Sequence, residues 1–181
     1  MQNLPKFIET DRLILRPLTL DDSENVFRYA SDPDVTRYMD WSTHLSMETS
    51  REWIQLTLDQ WNDQQEYTWG ITFKQNWNNI VGAIGCSEMA FKVSFGYVLD
   101  KKHWGKGIAT EASKTLVDGL SRIEGVRRIW ATCDCENTAS ANVLSKSGCV
   151  REGILHNWLI RPNLPGAPPR DDYVYAKTVD V

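Results

Sequence analysis

The chain has 181 residues, of which 41% are hydrophobic and 24% are charged, and its formal net charge at pH 7 is −4. This length fits a single domain, which we expect to span residues 1–181 with its core at about 8–178. The negative charge disfavours nucleic acid as a partner, because such binding depends on neutralising phosphates with Lys and Arg.

Apolar spacing and capping residues predict strands and helices along the whole chain. In order, they are a strand at 12–18, a helix from Asp21 or Asp22 to Ala30, a longer helix from Ser46 to about 61, strands at 67–73, 80–86 and 93–99, a helix after Gly107, a strand at 127–135, a short helix between Asn137 and Gly148, and strands at 150–160 and 172–178. This order predicts an α/β (α+β) fold with a single mixed, mostly antiparallel, twisted sheet of about seven strands and helices on both faces.

Membrane and metal-binding classes are also disfavoured. No apolar run approaches the roughly 20 residues that cross a bilayer, and the start lacks an apolar signal segment, so we expect a cytoplasmic protein with no membrane partner. The cysteines form no Cys-x-x-Cys pair and the histidines lie far apart, so we expect no bound metal and four reduced thiols. These residues are Cys86, Cys133, Cys135 and Cys149, and His44, His103 and His156.

The junction between the strand at 93–99 and the following helix is a predicted phosphate site. Gly105 and Gly107 lie there, and glycine lets a ligand approach the backbone without a Cβ in the way. The first N–H groups of the helix have no partner within it and, together with the helix dipole, attract an anion such as a diphosphate.

Two other phosphate-binding motifs fit this junction poorly. A Walker A loop needs Ser or Thr after its Gly-Lys pair, whereas Gly105-Lys106 is followed by Gly107. A dinucleotide fingerprint needs a third small residue three places after Gly107, where Thr110 stands, and a parallel βαβ unit near the start of the fold.

The run Lys102-x-x-Gly105-x-Gly107 resembles the coenzyme-A loop Arg/Gln-x-x-Gly-x-Gly/Ala of GNAT-type N-acetyltransferases, with Lys at the first position. Further segments resemble the branch of ribosomal-protein N-terminal (RimJ/RimL-like) acetyltransferases. They are 10–18, 32–39, 104–112, Asn137 to Ser140 and Lys146 to Cys149. The resemblance runs from about residue 8 to about 178 and implies the acyl-CoA N-acyltransferase (GNAT) fold.

The resemblance implies acetyl-CoA as the cofactor, with its pantetheine arm in a gap between the strands that flank the loop. The expected cofactor-binding residues are Tyr97, Val98 and Leu99 through their backbone, the loop and helix start His103, Trp104, Gly105, Lys106, Gly107, Ile108 and Ala109, and the side chains of Asn137 and Asn142. A strand N–H near Val98 or Leu99 would hold the oxyanion. The loop at 161–170, with four prolines and one glycine, is a candidate acceptor gate.

Acyl transfer from a thioester also needs a proton for the departing thiol. Many relatives use a tyrosine seven residues after the capping asparagine, where this chain has Leu144. In the ribosomal-protein branch the proposed acid is the serine three residues after that asparagine, which is Ser140 here. Ser140 is equally explained as a residue that supports the helix cap at Asn137.

A general base is harder to assign. Relatives often carry a glutamate on the strand before the loop, where this chain has Ser94. Glu88, Asp134, His156 and Asp171 remain as candidates. An α-amine, with a pKa near ~8, is appreciably neutral at pH 7, whereas a lysine amine, near ~10.4, needs more help. A missing base therefore favours an α-amine acceptor.

The predicted activity is direct transfer of acetyl from acetyl-CoA to a primary amine, with the N-terminal α-amine of a protein or peptide as the acceptor. A small amine, such as an aminoglycoside or a polyamine, is the alternative acceptor, and a non-catalytic acyl-CoA-binding module is the alternative class. Cys133 or Cys135 as an acyl-carrying nucleophile is disfavoured, because buried strand cysteines are usually inert. Either a monomer or a homodimer is expected.

Overall fold

The computed structural model describes residues 4–180. Its strands are β1 (Ile8–Glu9), β2 (Leu13–Pro17), β3 (Glu66–Phe73), β4 (Gly82–Met89), β5 (Lys92–Leu99), β6 (Arg128–Asp134), β7 (Val150–Leu159) and β8 (Arg170–Thr178). Its α-helices are α1 (Ser23–Ala30), α2 (Pro33–Thr36), α3 (Met47–Asn62), α4 (Ile108–Leu120) and α5 (Thr138–Lys146). Within the described range no helix has the length and apolar character needed to span a bilayer.

The eight strands form one sheet in the order β1-β2-β3-β4-β5-β6-β8-β7. Neighbouring strands are antiparallel except for β5 and β6, which are parallel. The predicted mixed, mostly antiparallel sheet is confirmed, and the strand beyond the expected seven is the two-residue β1. The strand predicted at 80–86 lies at 82–89, because pairing with β3 begins at Gly82, opposite Ile71. Ile80 and Val81 are buried in the connection that precedes it.

Two apolar cores cover the two faces of the sheet. The larger core packs strand residues such as Trp69 and Phe95 against Leu116 of α4. The second core packs Val98 against Ile54 of α3, together with residues of α1. Successive residues of a strand point to opposite faces, so β5 contributes to both cores. Helices on both faces of the sheet are therefore confirmed.

The parallel ladder between β5 and β6 is short. It pairs Lys92 with Arg128, Val93 with Ile129 and Ser94 with Trp130, and then the two strands separate. Beyond Ser94, β5 remains paired with β4 on its other side as far as Leu99. One side of the β5 backbone therefore faces a gap in the middle of the sheet.

Gly82 keeps the end of β5 in place. A Cβ at Gly82 would lie 2.3 Å from the carbonyl oxygen of Val98, so Gly82→Ala must displace backbone rather than a flexible side chain. We expect a loss of about 1–3 kcal/mol in the free energy of unfolding, measured by urea denaturation. Gly119→Ala in α4 is the control, because no atom lies within 4 Å of a Cβ there. A Gly82→Ala protein as stable as the control would contradict this packing argument.

Candidate functional site

A cavity of about 820 Å³ opens where β5 and β6 separate. Its walls come from the second half of β5, the loop and first turn of α4, β6, α5 and the segment that follows α2. Its lining includes Asp34, Asp40, Ser94, Gly96, Tyr97, Val98, Leu99, His103, Trp104, Gly105, Gly107, Ile108, Ala109, Cys133, Asp134, Glu136, Asn137, Ser140, Asn142 and Arg161. The gap in the sheet and the loop before α4 thus share one cavity.

Two glycines shape the loop before α4. Gly105 has φ 70° and Gly107 has φ 74°, in the left-handed region that other residues rarely adopt. No atom lies within 4 Å of a Cβ placed at Gly105, and at Gly107 the only close atom is Nη2 of Arg12, at 3.5 Å. The backbone of this loop is therefore open to close approach, directly before the unpaired N–H groups of a 13-residue helix.

Arg12 and Glu111 tie this loop to the start of β2. Arg12 Nε donates to Glu111 Oε2 at 2.6 Å, and Arg12 Nη1 donates to the carbonyl of Lys106 at 3.1 Å. Glu111 also accepts from the backbone N–H of Arg12 at 2.9 Å. These bonds hold the loop in a fixed position relative to the sheet.

The predicted cofactor-binding residues line the cavity with one exception. Lys106 is absent from the lining, and its Nζ donates to the carbonyl of Lys102 at 2.7 Å. Trp104 lies at the cavity wall, where its indole N–H donates to the carbonyl of Leu99 at 2.8 Å. That bond joins the end of β5 to the loop.

Ser140 lies in the first turn of α5 and makes two separate contacts. Its backbone N–H donates to Oδ1 of Asn137 at 3.1 Å, which is the expected helix cap. Its hydroxyl accepts a hydrogen bond from the phenol of Tyr97 at 3.1 Å. Burial raises the pKa of Tyr97 to about 12, so the phenol keeps its proton at neutral pH. Sequence reasoning gave Tyr97 a backbone role alone, because the contact between β5 and α5 is long-range.

The cysteines near this site are protonated thiols at neutral pH. Burial raises the pKa of Cys133 to about 12, although a hydrogen bond with Ser140 acts in the opposite direction. Burial and nearby carboxylates also raise the pKa of Cys135. Because the thiolate is the nucleophilic form, this environment gives no activated cysteine. Among residues 4–180, no group of His, Cys, Asp and Glu side chains has the arrangement to hold a metal ion.

Of the four base candidates, Asp134 alone lines the cavity. Both of its oxygens accept hydrogen bonds from Arg170, at 2.5 and 2.9 Å, and Oδ1 also accepts from the backbone of Glu136. Burial by itself would raise the pKa of Asp134, but these bonds outweigh it and lower the pKa. Glu88 is exposed at the end of β4, outside the cavity lining.

His156 and Asp171 form a pair away from the cavity. His156 Nδ1 and Asp171 Oδ2 are 2.8 Å apart, and neither residue belongs to the cavity lining. Asp171 also accepts from the backbone N–H of Asn157 at 2.9 Å, and these bonds lower its pKa. The structure therefore does not bring these two candidates to the site.

The loop after β7 is attached to the segment after α2 by one side chain. Asn163 Oδ1 accepts from the backbone N–H and the hydroxyl of Thr43, at 2.8 and 2.9 Å. Its Nδ2 donates to the carbonyls of Thr36 and Trp41, at 2.7 and 2.9 Å. All four hydrogen-bonding positions of the amide are used. Arg161, two residues earlier, lines the cavity and bonds to Asp172 at 2.5 Å.

The fold and the cavity define a class of acyl-group transferase, and comparison with known proteins gives its family. Residues 12–150 match the model of the acetyltransferase (GNAT) domain. The N-acetyltransferase YoaA of Bacillus subtilis is 33% identical over 162 residues, which are 87% of this chain and 90% of YoaA. The chain therefore belongs to the GNAT acetyltransferase family, and it is an acetyl-CoA-dependent N-acetyltransferase.

More distantly similar proteins include enzymes that are named for different acceptors. Spermidine N(1)-acetyltransferase of Escherichia coli is 24% identical over 147 residues, which are 81% of this chain and 77% of that enzyme. A solved GNAT-family acetyltransferase from Bacillus anthracis has a TM-score of 0.82 and 27% identity, over 95% of this chain and 98% of that one. RimL, a ribosomal L7/L12 α-N-protein acetyltransferase solved with coenzyme A, has a TM-score of 0.82 and 19% identity, over 96% and 98% of the two chains.

Proposed function

We propose that this enzyme acetylates the N-terminal α-amine of a protein or peptide, as the resemblance to the ribosomal-protein branch suggests. The supporting observation is the state of the carboxylates in the cavity. Asp34 is paired with Lys101, and Asp134 and Glu136 are paired with Arg170, while Asp40 is exposed. Pairing lowers the pKa values of Asp34 and Asp134, which makes both weaker bases. An α-amine has a lower pKa than a lysine amine, so it can lose its proton to a weaker base.

A small amine is the second candidate acceptor. The similarity to spermidine N(1)-acetyltransferase supports it, since that relative acts on a polyamine. Asp40, which is exposed at the cavity wall, gives a negative charge that suits a cationic acceptor of either kind.

For the cofactor, we assign the diphosphate to the loop and the first turn of α4. Gly105, Gly107 and the following backbone N–H groups form an open cradle with a positive helix end. The pantetheine arm is assigned to the gap beside Tyr97, Val98 and Leu99, where the backbone has no partner strand on the β6 side. Asn137 and Asn142 of the α5 end complete the wall of that gap.

The proton for the departing thiol is assigned to Ser140 and Tyr97. Acetyl-CoA supplies the acetyl group as a thioester, and its thiol leaves only when it gains a proton. The Ser140 hydroxyl accepts a hydrogen bond from the phenol of Tyr97, so its own hydrogen lies on the side of Cys133 and the cavity, where it can turn to the departing thiolate. Tyr97 then restores the proton of Ser140, and the proton that the nitrogen releases as it becomes an amide returns to Tyr97 through Ser140. Transfer is direct, because the Cys133 thiol is protonated and cannot carry the acetyl group.

Thiol release distinguishes the acceptor classes. Purified enzyme with acetyl-CoA is mixed with peptides that begin with Ser or Ala, with the same peptides blocked at the N-terminus, and with spermidine or an aminoglycoside. We expect release above background hydrolysis with the free peptides alone. Release with the polyamine or aminoglycoside would favour the small-amine proposal. Tight coenzyme A binding with no active acceptor would favour a binding module.

Gly107→Val tests the loop assignment. The valine places a branched side chain at a positive φ, where the diphosphate must approach. We expect the dissociation constant of coenzyme A, measured by calorimetry, to rise at least about tenfold, which corresponds to ~1.4 kcal/mol. Gly125→Val is the matched control, because Gly125 has φ 87° and lies outside the cavity lining. Equal affinity in both variants would remove the diphosphate from this loop.

Ser140→Ala and Tyr97→Phe test the proton donor. The cap uses the backbone N–H of Ser140, so alanine removes the hydroxyl and keeps the cap. Tyr97→Phe removes the phenol oxygen alone. We expect each variant to lower kcat on the order of 100-fold with little change in KM for acetyl-CoA, and the double variant to be no worse than the more impaired single variant. An unchanged kcat in Ser140→Ala would leave Ser140 as a capping residue only.

A further inference from the structure

The carboxylate residue Glu66 lies in register with Ser94, two strands away in the same sheet. Glu66 of β3 pairs with Ser87 of β4, and Ser87 pairs with Ser94 of β5. Directly paired residues point to the same face, and each step between strands is about 4.8 Å, so the Cα atoms of Glu66 and Ser94 are roughly 10 Å apart. The hydroxyls of Ser87 and Ser94 are hydrogen-bonded at 2.9 Å. Ser94 in turn lines the cavity.

The sheet surface between Glu66 and the cavity carries only small side chains and glycines. Gly85 and Gly96 are paired beside the two serines. Thr68 Oγ1 and Glu66 Oε1 lie 3.0 and 3.4 Å from the position of a Cβ at Gly85, so the carboxylate leans toward that glycine of β4. Nothing lies within 4 Å of a Cβ at Gly96, which itself lines the cavity. The path from the carboxylate to the cavity is therefore open or lined by hydroxyls.

The surroundings of Glu66 make its carboxylate a better proton acceptor. Burial raises the pKa of Glu66, and the negative charge of Asp40, which lines the cavity, raises it further. On β4 the neighbouring titratable groups are Cys86, whose thiol is neutral because burial raises its pKa to about 12, and Glu88, which is exposed near the end of the strand. On its own strand the neighbours are the neutral Thr68 and Tyr67, and burial raises the pKa of Tyr67 as well.

We propose that Glu66 receives the proton of the acceptor amine through Ser94 and Ser87, in place of a carboxylate on β5. The amine loses one proton to Ser94, and Ser94 passes its hydroxyl proton to Ser87 along their 2.9 Å hydrogen bond. The Glu66 carboxylate makes no hydrogen bond to Ser87 in the described part of the chain, so it turns toward Ser87 to take up the last proton. The acceptor amine becomes the neutral nucleophile and Glu66 becomes neutral, so charge and protons balance. Glu66 acts through the serines, which makes it a positioning residue rather than one that touches the substrate. This inference rests on the proposed transfer to an amine.

Glu66→Gln tests the proposal, because it keeps the shape of the side chain and removes its basicity. With the best acceptor peptide, we expect kcat to fall on the order of 100-fold at pH 7, with the KM for acetyl-CoA unchanged. The pH profile gives a second reading. Wild-type kcat should fall as the pH drops below the raised pKa of Glu66. The kcat of Glu66→Gln should not show this decrease at low pH. Glu124→Gln, at an exposed turn residue, is the control and should match the wild type.

The double variant Glu66→Gln/Ser94→Glu distinguishes a proton role from a packing role. It returns a carboxylate to the same level of the sheet, on β5 at the cavity wall. We expect it to recover at least about tenfold of the lost kcat, since the basic group is again within reach of the amine. A variant that lost activity through misfolding would not be rescued by a second substitution, and thermal melting of each protein measures folding independently.

Three outcomes separate the inference from the activity on which it rests. Loss of kcat in Glu66→Gln with rescue by Ser94→Glu supports the relay. A wild-type rate and pH profile in Glu66→Gln overturns it, and so does a loss without rescue. If the wild-type enzyme itself transfers acetyl to no amine of the panel, the proposed function fails first, and the coenzyme A affinity of the wild type still shows that the protein is folded.

Discussion

The separation of β5 from β6 is the constraint on which the rest of the site depends. Buried backbone groups are almost always hydrogen-bonded, and a strand in the middle of a sheet normally meets that need on both sides. Here the ladder stops at Ser94 and Trp130, and the cavity occupies the space where it would have continued. The backbone at 95–99 therefore keeps hydrogen-bonding capacity on one side for a bound molecule. An extended amide-containing chain such as pantetheine fits that requirement, because it carries the same kind of polar groups.

The loop before α4 extends this gap rather than forming a separate site. Its glycines have positive φ and open surroundings, so a ligand can approach the backbone closely. These properties do not by themselves fix the position of the loop. The position is fixed by Arg12 and Glu111, which join the loop to β2, and by Trp104, which joins it to the end of β5. Arg12 lies in the segment 10–18, which resembles the ribosomal-protein branch, and these contacts give that segment a physical role beside the glycine loop.

Most of the fold was predicted from local sequence patterns. The features that could not be predicted depend on contacts between residues far apart in the chain. The helix starts at Ser46 and Asn137 followed from capping residues, and the loop at 105–107 followed from glycine spacing. The hydrogen bond between Tyr97 and Ser140 joins residues 43 positions apart and depends on how α5 packs on the sheet. Glu66 could not be identified from the sequence for a similar reason, because only the register of three strands aligns it with Ser94. Base candidates chosen by residue type, such as His156 and Asp171, lie away from the cavity.

The alternation of side chains along β5 separates the two proton transfers of the proposed reaction. Tyr97 points to the face that packs on α4 and α5, where Ser140 lies, whereas Ser94 points to the opposite face with Ser87 and Glu66. In the proposed reaction, one strand thus places the proton donor on one side of the sheet and the proton acceptor on the other. The donor must hold its proton until the thiol departs, and the acceptor must be ionised before the amine attacks. Because the two groups lie on opposite faces, their surroundings differ, and each pKa can be set separately for the step that the group is proposed to serve.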